Sequence, residues 1–281
     1  MEASSFPITL TLFLALASFL YARGWLRLRA AFPHLISAGQ MAAFISGIVS
    51  LWLALGSPLA VLDDELLSVH MTQHLLLMAV APALILLGAP ALPLLHGVPK
   101  RFVQSVLGPL LRWSPVRRTG RTLTHPVFCW LAATITVIGW HVPAVFELGL
   151  HSDSWHEIQH ASFLLAGLLF WWPVIQPWPS VSRWPRWSIP VYLFLATLPC
   201  DALSAFLTFC DRVVYQSYLF APRPLHISAV QDQEWAGVLM WVSITFIYVA
   251  PAVVITVQTL APVRIQPDLK PSFEATKIEA A

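Results

Sequence analysis

Charge is scarce in this chain: Asp, Glu, Lys and Arg together make up 11% of its 281 residues, less than half the roughly 25% of an ordinary soluble domain. One large or two small soluble domains are thereby excluded, although the length would allow either. Cysteine is nearly missing as well. Cys129, Cys200 and Cys210 form no CxxC pair, so neither a disulfide framework nor a thiolate metal clip is indicated. The net charge of +2 is too small to point to nucleic acid. Short alternating apolar segments, the mark of a transmembrane barrel, do not occur either. What the sequence has is apolar mass, 57% of residues, with 13 Trp and 23 Pro. Those two residues suit a polytopic helical bundle in lipid, where Trp gathers at the interfaces and Pro is tolerated inside helices.

Runs of about 20 apolar residues, enough to cross about 30 Å of hydrocarbon, lie near 5–22, 35–56, 69–95, 125–143, 156–175, 188–210 and 235–261. They predict an all-α fold of seven transmembrane helices over residues 1–262, in contact with membrane lipid. A polar tail, 263–281, is expected to be disordered. The first run resembles a signal peptide at Ala15-Leu16-Ala17, but Glu2 precedes it and Arg23, Arg27 and Arg29 follow. That is the reverse of a signal's polarity and predicts a retained helix. Placing the segment after this span in the cytoplasm puts 14 of the 16 basic residues inside, leaving Arg212 and Arg223 outside. Asp63, Asp64, Glu65, Glu147, Asp153, Asp211 and Glu234 fall at outer loops. The expected topology is N-terminus out and C-terminus in.

The histidines then sort by depth. His34, His96 and His125 scatter along the inner side and read as interfacial residues. On the outer side, His70 and His74 open the third span, His141 closes the fourth, and His156 and His160 open the fifth. A pair spaced i, i+4 on a helix is separated by about 40° and about 6 Å, so both rings can reach one ion. Spans of alternating direction bring all five imidazoles to one face, which predicts a metal or haem site. Imidazole suits Cu, Zn, Fe and Ni alike. The run His156-Glu157-Ile158-Gln159-His160 also matches the His-Glu-x-x-His pattern of zinc peptidases, with Glu157 as base. The parallel pair around Gln73, which has no glutamate, argues for shared ligation instead.

Two carboxylates accompany the histidines. Asp201 is about nine residues, or about 13 Å, below the outer end of the sixth span, where an ionisable group needs a polar partner. Pro199, two residues before it, removes a helix hydrogen bond and frees the Leu195 carbonyl. Asp232 begins the seventh span, where an N-cap is the simplest account. Gly237 suits close helix packing. Met71, Met78 and Met240 read as apolar filler rather than soft ligands.

These residues carry a resemblance. His70-Met71-Thr72-Gln73-His74 with Ala81-Pro82 and Gly88-Ala89-Pro90, then Trp140-His141-x-Pro143, then His156 and His160 before Phe170-Trp171-Trp172-Pro173, and finally Asp232-Gln233-x-x-Ala236-Gly237-x-x-Met240-Trp241 resemble the CtaG-type cytochrome c oxidase assembly factors. The likeness covers the third, fourth, fifth and seventh spans in order. After the Trp-His-x-Pro turn, Phe146-Glu147-Leu148-Gly149 and His151 depart from the family's aromatic-acidic pattern. The resemblance implies a plasma-membrane protein that assists assembly of a haem-copper oxidase, works with the oxidase subunits and takes part in their copper supply. On that basis His70, His74, His141, His156 and His160 are expected to hold copper at the extracytoplasmic face and release it by ligand exchange, without catalysis. Asp201 and Asp232 are expected to orient imidazole N–H groups. Two other readings stay open. A membrane cytochrome would hold haem between His74 and His160. A proton-coupled transporter would need more polar groups in the inner half than the sequence supplies.

Overall fold

The computed structural model describes residues 6–57, 59–177, 184–222 and 226–261. Glu2, Arg183, Arg223 and the predicted tail at 263–281, with Arg264, Lys270 and Lys277, lie outside the described residues. Among those described every regular element is helical. Helices α1 (Phe6–Ala31), α2 (Ala38–Leu55), α3 (Leu67–Leu87), α5 (Asp153–Ile175), α6 (Ser188–Phe209) and α7 (Ala229–Leu260) are each long and apolar enough to cross a membrane, α4 (Pro126–His141) being the shorter one between α3 and α5. A 66° bend joins α4 to the basic helix Ser114–Leu123, whose Arg117, Arg118 and Arg121 are exposed. The outward faces of α6 and α7 stay apolar, with Phe194, Phe206, Phe246 and Val257 exposed. Such a surface is stable against lipid and not against water.

The third apolar run does not make one helix to residue 95. It breaks at Gly88, Ala89 takes a left-handed backbone with φ of 46°, and a separate helix runs Ala91–Gly97. Pro90 is the cause: it disfavours helical geometry in the residue before it and has no N–H to give. Buried Tyr21 of α1 secures the break, donating its hydroxyl to the Gly88 carbonyl at 2.7 Å. Beyond the break the short helix runs backbone to backbone with α1, where a Cβ on Gly24 would strike the Pro93 carbonyl and one on Gly97 the Leu20 carbonyl.

Within α3 a π-helical turn spans Leu76–Val80, in which the Ala81 N–H reaches back to the Leu76 carbonyl. Pro82 cannot donate to the Met78 carbonyl, and α5 closes on that spot. A Cβ on Gly167 would collide with the Met78 carbonyl oxygen and Pro82. This contact sets the spacing of the two helices that carry both histidine pairs. Gly167→Val is expected to destabilise the bundle by about 1–3 kcal/mol through overpacking, read as a lowered melting temperature in detergent.

Candidate metal centre

The chain entering α3 has no side-chain cap of its own. Asp232 of α7 supplies one from across the bundle: its Oδ2 accepts from the Leu67 N–H at 2.6 Å, and its Oδ1 from the Ser68 N–H at 3.3 Å and the Ser68 hydroxyl at 2.5 Å. A buried carboxylate at a helix N-terminus meets both unpaired donors and a favourable dipole. This corrects two expectations for Asp232. It neither caps α7, whose N-cap is Ser228 in a reciprocal pair with Gln231, nor bonds an imidazole. Its neighbour Gln233 accepts from the Val214 N–H at 2.8 Å and donates to the carbonyls of Leu207 and Arg212 at 3.2 and 3.1 Å. Gln73 of α3 donates to the Ala54 carbonyl of α2 at 3.1 Å. Three polar residues of the resembling motifs are thus clamps: Asp232 and Gln73 fix α3, and Gln233 ties α7 to the end of α6 and the segment after it.

One turn into α3 stand His70 and His74, both buried, with ring centroids 4.3 Å apart. His156 and His160 of α5 are 4.2 Å apart. Across the two helices His70 stacks on His156 at 5.7 Å, and His74 meets His160 at 6.1 Å. His141, at the end of α4, is 6.0 Å from His74. The five rings therefore form one cluster. Phe146, on the short helix Pro143–Leu150 that holds the stretch departing from the family pattern, closes its side, 4.9 Å from His70 and stacked at 3.8 Å on Tyr215.

A carboxylate read from sequence as one of several loop acids joins them. Asp63 is 2% exposed, its Oδ2 faces His156 Nε2 at 3.4 Å, and single ligand atoms of Asp63, His70 and His156 all fall within 4.8 Å of one another. Burial, with Asp64 adding to it, pushes the Asp63 carboxyl up to about 7; a cation beside it would favour the ionised form. Tyr218 holds this loop by donating to the Asp63 carbonyl at 2.7 Å, and Tyr215 donates to the His141 carbonyl at 3.2 Å. Both belong to the segment between α6 and α7. No local motif marks Asp63, because a bend before α3 turns its side chain inward.

Among the described residues 13 buried side-chain N and O atoms have no hydrogen-bond partner, and seven of them belong to this cluster. Both ring nitrogens of His70 and of His74, Nε2 of His156 and of His160, and Oδ2 of Asp63 are buried without a hydrogen-bond partner. Unpaired buried polar atoms are rare in folded proteins and destabilising by about 1–3 kcal/mol each. Where the ligand atoms of Asp63, His70 and His156 come within 4.8 Å of one another, imidazole and carboxylate lone pairs have the makeup of a cation site. Asp201 is not part of it: its Oδ1 is buried and unpartnered on α6, so the expected bond to an imidazole is not made. Glu157 is exposed, away from the position a hydrolytic base would need. His34, His96 and His125 are exposed and apart from the cluster.

Beside Asp63, an open depression of about 660 Å³ is lined by Asp64, Glu65 and Glu147 among others. On the other side, against His74 and His141, lies a cavity of about 30 Å³.

These features define a polytopic α-helical membrane protein with a buried histidine–aspartate cluster at one end of its bundle. Residues 19–261 match the family of cytochrome c oxidase caa3 assembly factors, Caa3_CtaG, and the chain belongs to that family. It is 25% identical over 225 residues to an uncharacterized protein of Mycobacterium leprae, covering 79% of this chain and 34% of the relative. Uncharacterized proteins of Mycobacterium bovis and Mycobacterium tuberculosis are each 26% identical over 207 residues, 72% of this chain and 31% of theirs. The chain thus spans about a third of the length of these curated relatives. No solved structure matches it.

Proposed function

We propose that the protein binds copper at the cluster of His70, His74, His141, His156 and His160, with Asp63 at its edge, and delivers it to a haem-copper oxidase subunit during assembly in the plasma membrane. Copper is the cargo, and no catalytic role is assigned. The observation that carries the reading is the convergence of single ligand atoms of Asp63, His70 and His156 within 4.8 Å of one another, with the rings of His74 and His160 beside them and their buried nitrogens without hydrogen-bond partners. Imidazole and carboxylate without thiolate suit an ion that must be released again by ligand exchange. The acidic depression formed by Asp64, Glu65 and Glu147 would concentrate cations beside the cluster. The asymmetry of basic residues supports placing this end of the bundle outside the cytoplasm. Haem is disfavoured because the adjoining cavity of about 30 Å³ is an order of magnitude below the roughly 300 Å³ of a small-molecule pocket.

Purified protein tests the reading by elemental analysis and an absorption spectrum. Copper without a Soret band is the expected result; a strong Soret band would establish the cytochrome instead, and zinc alone would remove the copper assignment. His160→Ala is expected to weaken copper binding by at least the roughly 10- to 100-fold that loss of a group supporting a metal ligand causes and to reduce oxidase activity in membranes at an unchanged level of the protein. Full copper occupancy and full oxidase assembly in both His160→Ala and His74→Ala would overturn the ligand set.

A further inference from the structure

The sulfur atoms of this protein are not evenly spread. Three of its five methionines and one of its three cysteines line the single cavity of about 30 Å³ beneath the imidazoles: Met71 and Met78 from α3, Met240 from α7 and Cys200 from α6, with His74 and His141. Met78 is eight residues, or about 12 Å, further along α3 than His70, so the chamber lies deeper in the bundle than the Asp63 end of the cluster. Four of the seven helices contribute sulfur or imidazole to it. It has no carboxylate.

The contact between Met71 and His141 is the chamber's most specific chemical feature. His141 Nδ1 is 2.7 Å from the Val137 carbonyl. A carbonyl can only accept, so the proton of the neutral ring sits on Nδ1 and Nε2 carries a lone pair. That lone pair faces Met71 Sδ at 3.3 Å, and a thioether has no proton to give. Two acceptors are held together with nothing between them to share. Plain packing would place a methyl group against this nitrogen or turn the sulfur toward a C–H edge of the ring. Two donors of electron pairs converge in this way on a cation, and a thioether–imidazole set prefers a soft, monovalent d¹⁰ ion to the divalent ions that the Asp63 end would accept.

We propose that this chamber, toward which His141 turns its one free lone pair, is a Cu(I) site adjoining the outer imidazoles, with Met71 Sδ and His141 Nε2 as ligands and Met78 and Met240 as the other methionines that line it. It rests on the reading of the imidazole cluster as a copper site and adds to it an oxidation state and a direction. Copper passes as Cu(I) from the outer imidazoles to the sulfur-lined chamber by way of His74, which borders both. No electron is exchanged.

The test uses the full chain in detergent, titrated with Cu(I) against a chromophoric Cu(I) chelator and separately with Zn(II), with X-ray absorption at the copper edge. Met71→Leu, nearly isosteric, is expected to weaken Cu(I) binding by at least the roughly 10- to 100-fold that loss of a group supporting a metal ligand causes, to leave Zn(II) binding unchanged and to remove a copper–sulfur scattering shell. Met240→Leu gives the same readouts should Met71→Leu fold poorly, and Met41→Leu serves as the control. A wild-type spectrum with nitrogen and oxygen neighbours alone, or Met71→Leu with wild-type Cu(I) affinity, overturns the chamber. If copper then still depends on His74, the imidazole reading survives that loss. If the wild-type protein binds no copper in either oxidation state, both fall.

Discussion

Replacing His74 with leucine is expected to make the metal-free protein more stable and to abolish its metal response. Both ring nitrogens of His74 are buried without a partner, so leucine, similar in volume, removes an unpaired donor and an unpaired acceptor and gains apolar contact with Phe163, now 4.1 Å from the imidazole. Each unpaired group is destabilising by about 1–3 kcal/mol, and a gain in this range should raise the melting temperature of the metal-free protein. With metal added, wild-type stability should rise with concentration by linkage, whereas that of His74→Leu should stay flat. The opposed signs decide between function and packing. A histidine kept for packing would lose stability on replacement and show no dependence on metal. Residues that weaken a fold and strengthen a binding site are the usual mark of selection for function.

The largest loss of stability is expected at Asp232. Its carboxylate takes three hydrogen bonds at the start of α3, and alanine there would leave the Leu67 and Ser68 N–H groups unmet. Charged hydrogen bonds are worth about 1.5–3 kcal/mol, and leaving a buried donor unmet has a similar penalty. Asp232→Ala should therefore lower stability by about 3 kcal/mol, with Asp232→Asn intermediate because its amide oxygen can still accept. Chemical or thermal unfolding in detergent measures this. Copper binding should weaken in proportion, as α3 and its two histidines lose their anchor. An Asp232→Asn protein of unchanged stability but reduced copper affinity would instead return Asp232 to the role of orienting an imidazole.

The residues that were legible in the sequence share one property, that their signal is local. Hydropathy reports the solvent on each side of a helix, so the apolar runs and the all-helical fold follow from composition alone. The i, i+4 spacing likewise puts His70 with His74 and His156 with His160 on one face each. The break at Gly88–Pro90 was concealed because a run of apolar residues continues across it, and hydropathy carries no information on backbone direction. Asp63 was concealed for the opposite reason. It sits in a loop beside Asp64 and Glu65, where acids are ordinarily exposed, and a hydrogen bond from Tyr218, 155 residues away, is part of what holds it inward. Met71 reads as filler in any apolar helix until the proton on His141 is located.

By itself the sequence determined that this chain is an apolar, helical, membrane-crossing protein of the oxidase-assembly family with two histidine pairs each spaced to share a helix face, because helix period and lipid solubility depend on neighbours a few residues apart. The tertiary structure alone decided which polar groups meet. It sent Asp232 to a helix terminus and left Asp201 unpaired, brought Asp63 beside His70 and His156, and gathered sulfur from three helices around one cavity. Those pairings join residues up to 165 positions apart, and they are set by the close approach of helices at positions such as Gly167 rather than by any pattern along the chain.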